Sequence, residues 1–412
     1  MLNLRKLFIA AALITPATPV LADVISDWNE KAVAFLAEKT VPPPQAERTM
    51  AMIHVAMFDA VNAIEPRYRP YLSQPQASPA LPKEAAAAAA AGTVLASLYA
   101  PPVGSFKTQL SSYLEAIPND EAKSQAIALG EVVAAAILAA RAGDGSAAPD
   151  SYRPKTKPGV YTPTATTAAS MWPQLKPFAI PSPSHFRPEP PIALTSEQWA
   201  AEYNEIKSLG ARNSSKRSPQ QTEDARFWLA TGPIAYYPTI RQIAAAKKLD
   251  TLDSARFLAL VAVARQDAFV AVFDAKYHYE FWRPLTAIRN GDIDENPATE
   301  REATWQPIAD TPMHPEYPCA HCILAAVLEP VGESVFGSTE IPEVASNSSM
   351  APGVTHRWTN LRAITNEVSE ARIYAGFHYR FSTQVGEDMG RKIGRFIADN
   401  ILQPVAAETT RR

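Results

Sequence analysis

The sequence predicts an all-α protein, with two four-helix-type bundles joined by a long proline-rich connection. Most segments of the 412-residue chain place apolar residues at helical spacing, and few show the strict alternation of a strand. The chain also has 37 Pro against only 16 Gly, and proline marks helix starts, helix ends and rigid connections. An apolar fraction of 47% is ample for a packed core, which excludes wholesale disorder.

The first 22 residues have the features of a signal peptide. Arg5 and Lys6 precede an apolar run that is too short to span a bilayer, and Val20-Leu21-Ala22 offers small residues for cleavage. We therefore expect a mature chain that begins near Asp23 and is periplasmic or secreted. An uncleaved membrane anchor is the alternative. We expect no membrane span in the mature chain.

Helical periodicity recurs through two regions, which we place at residues 23–195 and 196–412. Residues 149–191 contain eleven Pro, so we expect this end of the first region to be an ordered wrap or a linker. Prolines also delimit the first two helices, and an Asn-Asp-Glu sequence begins the third. The predicted helices cover residues 47–64, 83–99, 119–142, 196–209, 220–230, 239–248, 250–279, 320–336 and 360–400, the last broken in two.

Charge and cysteine content exclude several classes of function. A net charge of -3 gives no long-range attraction to nucleic acid, so we expect no nucleic-acid partner. Two Cys are too few for a disulfide framework or a four-thiolate zinc site. Any affinity for phosphate-like anions must therefore come from a local cluster of cations.

A first such cluster lies at residues 276–284. Lys276 and Arg283 are seven residues apart, so they would project from nearly one helix face, and Pro284 would place Arg283 at the helix end. Two cations on one face suit an oxyanion, although a solvated charged face is the alternative. Phe273, about one turn before Lys276, could line the same pocket or belong to the core.

A second cluster lies at residues 314–322 and contains His314, His321 and both cysteines. Pro318 suits the first turn of a helix, and the next residues would then offer free backbone N–H groups to an anion. The helix dipole would lower the pKa of His321 and help it act as a base. An ordinary surface or capping histidine is the alternative.

A third cluster contains Arg372 and His378, which would lie about 120° apart on one helix. A buried core histidine is the simpler interpretation of His378 alone. Together, however, the three clusters supply what a tetrahedral or trigonal-bipyramidal oxyanion needs. Cations would neutralise its oxygens, one histidine would bond its central atom, and the other would move protons.

The order and spacing resemble the signature shared by vanadium-dependent haloperoxidases and the type 2 phosphatidic acid phosphatase (PAP2) superfamily. Residues 276–284 match its Lys-x6-Arg-Pro, residues 318–321 (PCAH) stand for Pro-Ser-Gly-His, and residues 371–378 stand for Ser-Arg-x5-His. Residues 314–318 (HPEYP) and 54–63 (HVAMFDAVNA) look more like secreted bacterial haloperoxidases than like small acid phosphatases.

This resemblance implies an enzyme with a vanadate cofactor, whose site phosphate could also occupy. His378 would be the vanadium ligand and His321 the acid/base group. Hydrogen peroxide would oxidise a halide, and the hypohalous acid would halogenate a small organic acceptor. His314 stands where bromoperoxidases of the family have His, which favours bromide or iodide, and the family often forms homodimers. The residues that would hold the oxyanion are Lys276, Arg283, Cys319, Ala320 and Arg372.

Four positions depart from the family pattern. Cys319 replaces Ser and is a weaker donor, Ala320 replaces Gly, and Ala371 replaces Ser. Ser382 stands where an Asp usually orients the axial His, which would weaken His378 as a nucleophile more than as a neutral ligand. Phosphomonoesterase activity through a phospho-His378 intermediate is therefore one alternative, and a catalytically weakened phosphate- or vanadate-binding protein is another.

The two cysteines leave further alternatives open. Cys319 and Cys322 could close as a disulfide, remain free thiols, or form a thiol oxidoreductase motif at a helix start. A zinc site with His314 and His321 would crowd four ligands within nine residues. Oxyanion chemistry is the simplest account of the surrounding cations.

Overall fold

The computed structural model describes residues 23–99 and 104–405, so the signal peptide predicted for residues 1–22 lies outside the described part. Within these ranges, the chain is mostly helical and has one two-stranded hairpin. The all-α prediction is therefore confirmed.

The N-terminal helices pack around one central helix, which is buried along nearly its whole length. Its first turn carries Pro43 and Pro44, which the helix tolerates because those N–H groups need no intrahelical partner. Two helices here were not predicted, at 24–38 and 104–115, and the Asp23 side chain caps the first of them. The N-terminal helices are α1 (Val24–Glu38), α2 (Pro43–Ile64), α3 (Lys83–Leu98), α4 (Gly104–Glu115) and α5 (Glu121–Arg141).

By length and hydropathy alone, α5 is the one helix of the described ranges that could cross a membrane. Of its apolar 18-residue stretch, 33% is buried. The prediction was that the mature chain has no membrane span. Core helices of globular proteins can meet the same criterion, and α5 packs directly on α3. A Cβ on Gly130 would lie 2.3 Å from the Ala86 carbonyl oxygen, so the two backbones approach closely only because this residue is glycine.

The proline-rich residues 149–191 are an ordered wrap, with only a short 3-10 turn at Trp172–Gln174. The Asp267 carboxylate accepts hydrogen bonds from the N–H groups of Phe178, Ala179 and Ile180 at 2.6–2.9 Å. These bonds satisfy backbone donors that a proline-rich segment cannot pair within itself. Of the two interpretations, wrap and linker, the wrap is thus the one observed.

The C-terminal helices follow the predicted order, but the short helix at 284–289 was not predicted and two predicted helices differ in their bounds. The helix predicted at 239–248 begins earlier, with Pro233 in its first turn. The helix predicted at 320–336 breaks at Val327, because Pro330 has no N–H to donate to Ala326. These helices are α6 (Glu197–Leu209), α7 (Pro219–Phe227), α8 (Pro233–Ala246), α9 (Thr251–Tyr279), α10 (Pro284–Arg289), α11 (Ala320–Ala326), α12 (Leu328–Phe336), α13 (Leu361–Tyr374) and α14 (Arg380–Asn400).

An antiparallel hairpin of β1 (Glu340–Ser348) and β2 (Ala351–Asn360) precedes α13 and was not predicted. Two register irregularities disturb the alternation of buried and exposed residues along its strands. The hairpin docks on α8, where Gln242 exchanges two hydrogen bonds with the backbone of Ala345.

The predicted division at residue 195 does not separate two cores, because one apolar cluster contains residues of both regions. A buried ion pair joins α2 to α9, with Arg265 Nη2 2.5 Å from Glu47 Oε1. Arg265 also donates to the Leu324 carbonyl in α11 at 2.9 Å. The N-terminal region therefore helps to hold the helix that carries His321.

Glycines at every fourth residue let α14 lie directly on α11. A Cβ on Gly386 would come within 2.7 Å of the Cys319 carbonyl oxygen, and one on Gly390 within 2.5 Å of the Ile323 carbonyl oxygen. This close contact places the start of α11 beside the start of α14, which follows His378.

Candidate active site

Lys276 and Arg283 converge on one site, but they do not share a helix face as predicted. Helix α9 ends at Tyr279, since Glu280 adopts the left-handed conformation, and Arg283 is the N-cap of α10. The chain thus turns between the two cations and brings both inward, where their exposed fractions are 0% and 1%.

Of Lys276, Arg283 and Arg372, Arg283 makes the most hydrogen bonds. Its Nε donates to the His314 carbonyl at 2.8 Å and its Nη1 to the Phe377 carbonyl at 3.0 Å. The same Nη1 lies 3.3 Å from His378 Nε2, and Nη2 lies 2.9 Å from His314 Nδ1. Because a guanidinium only donates, His378 Nε2 is an acceptor here, whereas His314 Nδ1 lies between Arg283 and the Pro315 carbonyl, which is 3.1 Å away. Burial lowers the pKa of both histidines well below the usual value, so both are neutral.

Lys276 fixes the segment that precedes α11. Its Nζ donates to the carbonyls of Pro315 and Glu316 at 2.9 and 2.7 Å. Burial lowers the pKa of Lys276 well below its usual value, and the charges of Arg283 and Arg372 lower it further. The Glu316 carboxylate opposes these effects but does not outweigh them.

The start of α11 differs in detail from the prediction. Pro318 follows a cis peptide bond and lies before the helix, whose N-cap is Cys319 and whose first residue is Ala320. The N–H of Ala320 is among those that a helix start leaves without an intrahelical partner. Cys319 and Cys322 form a disulfide, the first of the alternatives above, so Cys319 has no thiol proton to donate.

His321 is half-buried and its Nε2 lies 3.2 Å from the Ala230 carbonyl. Since a carbonyl only accepts, Nε2 carries the proton and Nδ1 is free to accept one. The pKa of His321 is lowered well below its usual value, mainly by burial and then by the charge of Arg372. The direction agrees with the prediction, but the leading cause is burial rather than the helix dipole.

Arg372 and His378 do not lie on one helix, contrary to the prediction. Helix α13 ends at Tyr374, and Gly376 at φ +78° turns the chain so that His378 precedes α14. Arg372 Nη1 donates to the Trp228 carbonyl at 2.6 Å. Its buried Nε has no hydrogen-bond partner among the described residues, so a donor is left for a further acceptor.

Glu316 is a site residue that the sequence analysis missed. Its Oε1 lies 2.8 Å from His378 Nδ1 and accepts from the Tyr379 N–H at 3.1 Å, with the side chain fully buried. Its position two residues before Pro318 was the available signal, because a carboxylate between apolar residues is seldom buried without a partner. Glu316 supplies a carboxylate to His378 Nδ1, although Ser382 replaces the expected Asp.

The assembled site is short of negative charge. Three buried cations face one buried carboxylate, and burial lowers the pKa of Arg283 to about 10 and that of Arg372 to about 9. Burial likewise lowers the pKa of His378 well below its usual value, and Arg283, Lys276 and Arg372 lower it further. A bound anion would relieve this excess of positive charge.

His314 and Phe273 lie together beside the cations, with ring centroids 5.3 Å apart. His314 is half-buried, whereas Phe273 is 2% exposed and belongs to the main core. Both interpretations of Phe273 therefore hold, since it is a core residue that also contacts the edge of the site.

These features define the class: an all-α protein with a buried oxyanion site. The donor set fits vanadate, because cations, an unpartnered guanidinium nitrogen and a neutral imidazole nitrogen meet in one place. Lys276, Arg283, Arg372 and the start of α11 would hold its oxygens, and His378 Nε2 would be the ligand to the metal. Phosphate offers the same oxygens and fits the same donors.

Comparison with known families agrees with this class. Residues 23–175 match the vanadium chloroperoxidase N-terminal domain, and residues 256–406 match the second helical-bundle domain of the same protein. Together the two matches cover about three quarters of the chain. The chain belongs to the vanadium haloperoxidase family.

A curated relative and several solved structures are similar to the chain. Vanadium chloroperoxidase from Curvularia inaequalis is 27% identical in a 363-residue alignment that covers 68% of this chain and only 59% of the relative's length. The crystal structure of the first bacterial vanadium-dependent iodoperoxidase has a TM-score of 0.80 at 24% identity, covering 93% of this chain and 97% of that one. An apo bacterial vanadium-dependent chloroperoxidase has a TM-score of 0.69 at 16% identity, covering 86% and 92%. At these identities the structures support the fold.

Proposed function

We propose that the protein is a vanadate-dependent haloperoxidase that uses hydrogen peroxide to oxidise bromide or iodide. The observation that carries the proposal is the buried set of Lys276, Arg283 and Arg372 around the neutral Nε2 of His378. The hypohalous acid would then halogenate a small organic acceptor. When bound, vanadate would act as a Lewis acid that activates peroxide without changing its own oxidation state.

The protein's own residues contribute binding and proton transfer. The three cations would neutralise the oxyanion in a site that largely excludes water, where each charge acts more strongly than in solution. Halide oxidation by peroxide consumes one proton and releases water, so a group must move protons at the site. His321 is neutral, and its Nδ1 can accept a proton from peroxide and return it to the leaving oxygen.

Halide preference would depend on the edge of the site formed by His314 and Phe273. His314 Nδ1 lies 2.9 Å from Arg283 Nη2 and 3.1 Å from the Pro315 carbonyl oxygen, so the ring is held in place while the residue stays half-exposed. We expect His314→Phe to change the ratio of bromide to iodide oxidation with little change in vanadate affinity. An unchanged ratio would contradict a role for His314 in halide choice.

The direct test uses purified protein that has been stripped of anions and then assayed with and without orthovanadate. We expect oxidation of iodide and bromide only when both vanadate and hydrogen peroxide are present. His378→Ala should abolish it, whereas Glu329→Ala, which alters a buried carboxylate paired with Arg391 on α14, should not. Halide oxidation that is independent of vanadate would refute the proposal.

Phosphomonoesterase activity is a second candidate, and one observation favours it. The Glu316 carboxylate at His378 Nδ1 would raise the basicity of the ring, which a phospho-histidine intermediate requires. Phosphate ester hydrolysis that vanadate inhibits, without halide oxidation, would establish this reaction instead. Tight phosphate binding with neither activity would indicate a binding protein.

We also propose that the protein is periplasmic or secreted. The Cys319–Cys322 disulfide supports this location, because disulfides persist mainly in oxidising compartments. N-terminal sequencing of protein released by osmotic shock should begin near Asp23. Recovery of the intact chain from the cytoplasm would contradict the proposal.

A further inference from the structure

We propose that Glu316 is the positioning residue that orients His378 toward the bound oxyanion, and that a carboxylate at position 382 could take over this role. This role of Glu316 rests on the proposed function in one respect, because it assumes that His378 binds an oxyanion. It concerns how this chain holds the ring, which can be measured without any turnover.

The hydrogen bonds of Glu316 determine which nitrogen of His378 carries the proton. Oε1 accepts from the Tyr379 N–H at 3.1 Å, which places a lone-pair acceptor 2.8 Å from His378 Nδ1. On the other side of the ring, Arg283 Nη1 lies 3.3 Å from Nε2 and can only donate. Nδ1 is therefore protonated, and the Nε2 lone pair faces the cations.

Glu316 is itself rigidly held, which a positioning residue requires. Its N–H donates to the Phe281 carbonyl at 2.8 Å, and its carbonyl accepts from Lys276 Nζ at 2.7 Å. The same lysine that would bind the oxyanion thus fixes the backbone of the carboxylate behind His378. Movement of the 315–316 segment would disturb the cation and the ring together.

Ser382 shows that a carboxylate could also approach from α14. It lies in the first turn of α14, four residues after His378, and its side chain is fully buried. Its Oγ lies beside the Glu316 carboxyl group and lowers the pKa of that group, although the two groups do not form a hydrogen bond of good geometry. An aspartate at position 382 would therefore point into the space beside the Glu316 side chain.

The test compares Glu316→Ala, Glu316→Gln and the double variant Glu316→Ala/Ser382→Asp. The first readout is the tautomer of His378 in anion-free protein, measured by NMR of ¹⁵N-histidine. Wild type should show the Nδ1-protonated form, Glu316→Ala a mixture of tautomers, and the double variant a return to the wild-type form. Glu316→Gln should be intermediate, because an amide oxygen still accepts but carries no charge. Since glutamine is nearly isosteric with glutamate, this variant provides the test if Glu316→Ala does not fold.

The second readout is the affinity for orthovanadate by calorimetry, repeated with inorganic phosphate. We expect Glu316→Ala to weaken vanadate binding by about 10- to 100-fold and the double variant to recover most of that loss. Glu329→Ala is the matched control, because it removes another buried carboxylate whose partners lie away from His378. It should leave both readouts unchanged.

Two results would overturn the inference: an unchanged His378 tautomer in Glu316→Ala, or a double variant no closer to wild type than Glu316→Ala. The haloperoxidase proposal fails separately, through absence of vanadate-dependent halide oxidation in wild type. In that case the tautomer measurement still decides whether Glu316 orients the ring.

Discussion

Replacing Arg372 with methionine should change protein stability and anion affinity in opposite directions. Arg372 is 1% exposed, and its pKa falls from 12.5 to about 9 because of burial and then the repulsion of Arg283. Since one pKa unit corresponds to about 1.4 kcal/mol, folding the charged side chain costs on the order of 5 kcal/mol without an anion. Methionine fills similar space and avoids this cost.

The loss of a hydrogen bond offsets part of this gain in stability. The charged hydrogen bond from Nη1 to the Trp228 carbonyl contributes about 1.5–3 kcal/mol. We therefore expect Arg372→Met to stabilise the anion-free protein by about 2–3 kcal/mol, which corresponds to a few degrees in Tm. The sign holds at any pH below about 9, where the arginine is charged in both the folded and the unfolded states.

The affinity of Arg372→Met for anions should fall. Loss of charge-assisted bonds to the oxyanion should weaken vanadate and phosphate affinity by about 10- to 100-fold. Thermal melts with and without saturating orthovanadate measure both effects, with the exposed Arg226→Met as a control that should change neither. A variant less stable than wild type without anion, yet equally stabilised by vanadate, would refute the reasoning.

Three further predictions concern the surroundings of the site. Replacing Cys319 and Cys322 by serine should lower stability by only about 2 kcal/mol, because the loop is short. Intact-mass measurement of wild type should show no free thiol, and a reduced mass would contradict the disulfide. Burial acts to lower the pKa of His356, but the carboxylates of Glu367, Asp224 and Glu223 together outweigh it and raise the pKa above 6.5. His356 thus adds stability that is complete below about pH 6.5 and lost as the pH rises through the folded-state pKa. His356→Gln should make Tm fall less steeply as the pH rises through that range. An unchanged dependence of Tm on pH would show that His356 does not contribute to it. Asp267→Ala should leave three N–H groups of the wrap unpaired, at about 1–3 kcal/mol each, and speed proteolysis within residues 149–191. If Asp267→Ala resists proteolysis as well as the wild-type protein does, other contacts hold the wrap.

Prolines and helical periodicity were sufficient to predict most of the fold. The helix predicted at 83–99 is observed at Lys83–Leu98, because Pro82 immediately precedes it and the intervening residues are strong helix formers. The hairpin at 340–360 escaped prediction, since its register irregularities erase the regular alternation that identifies a strand. Docking on α8 is a tertiary contact that no local pattern reveals.

The cations of the candidate site could be predicted from the sequence, but their arrangement in space could not. Motif spacing identified Lys276, Arg283 and Arg372, whereas the left-handed residue Glu280 breaks the helix between the first two. Glu316 was missed because it lies 62 residues from His378 along the chain. Contacts between residues so far apart depend on the packing of α11 against α14, which sequence spacing alone does not describe.

The central claim is that the buried cations and His378 hold one oxyanion. Its most direct test is a crystal structure of the protein soaked in orthovanadate, with anomalous scattering used to locate vanadium. The account predicts a vanadium peak next to His378 Nε2, with density for oxygens toward Lys276, Arg283 and Arg372. A fully ordered site without vanadium, or vanadium bound only elsewhere on the protein, would contradict it.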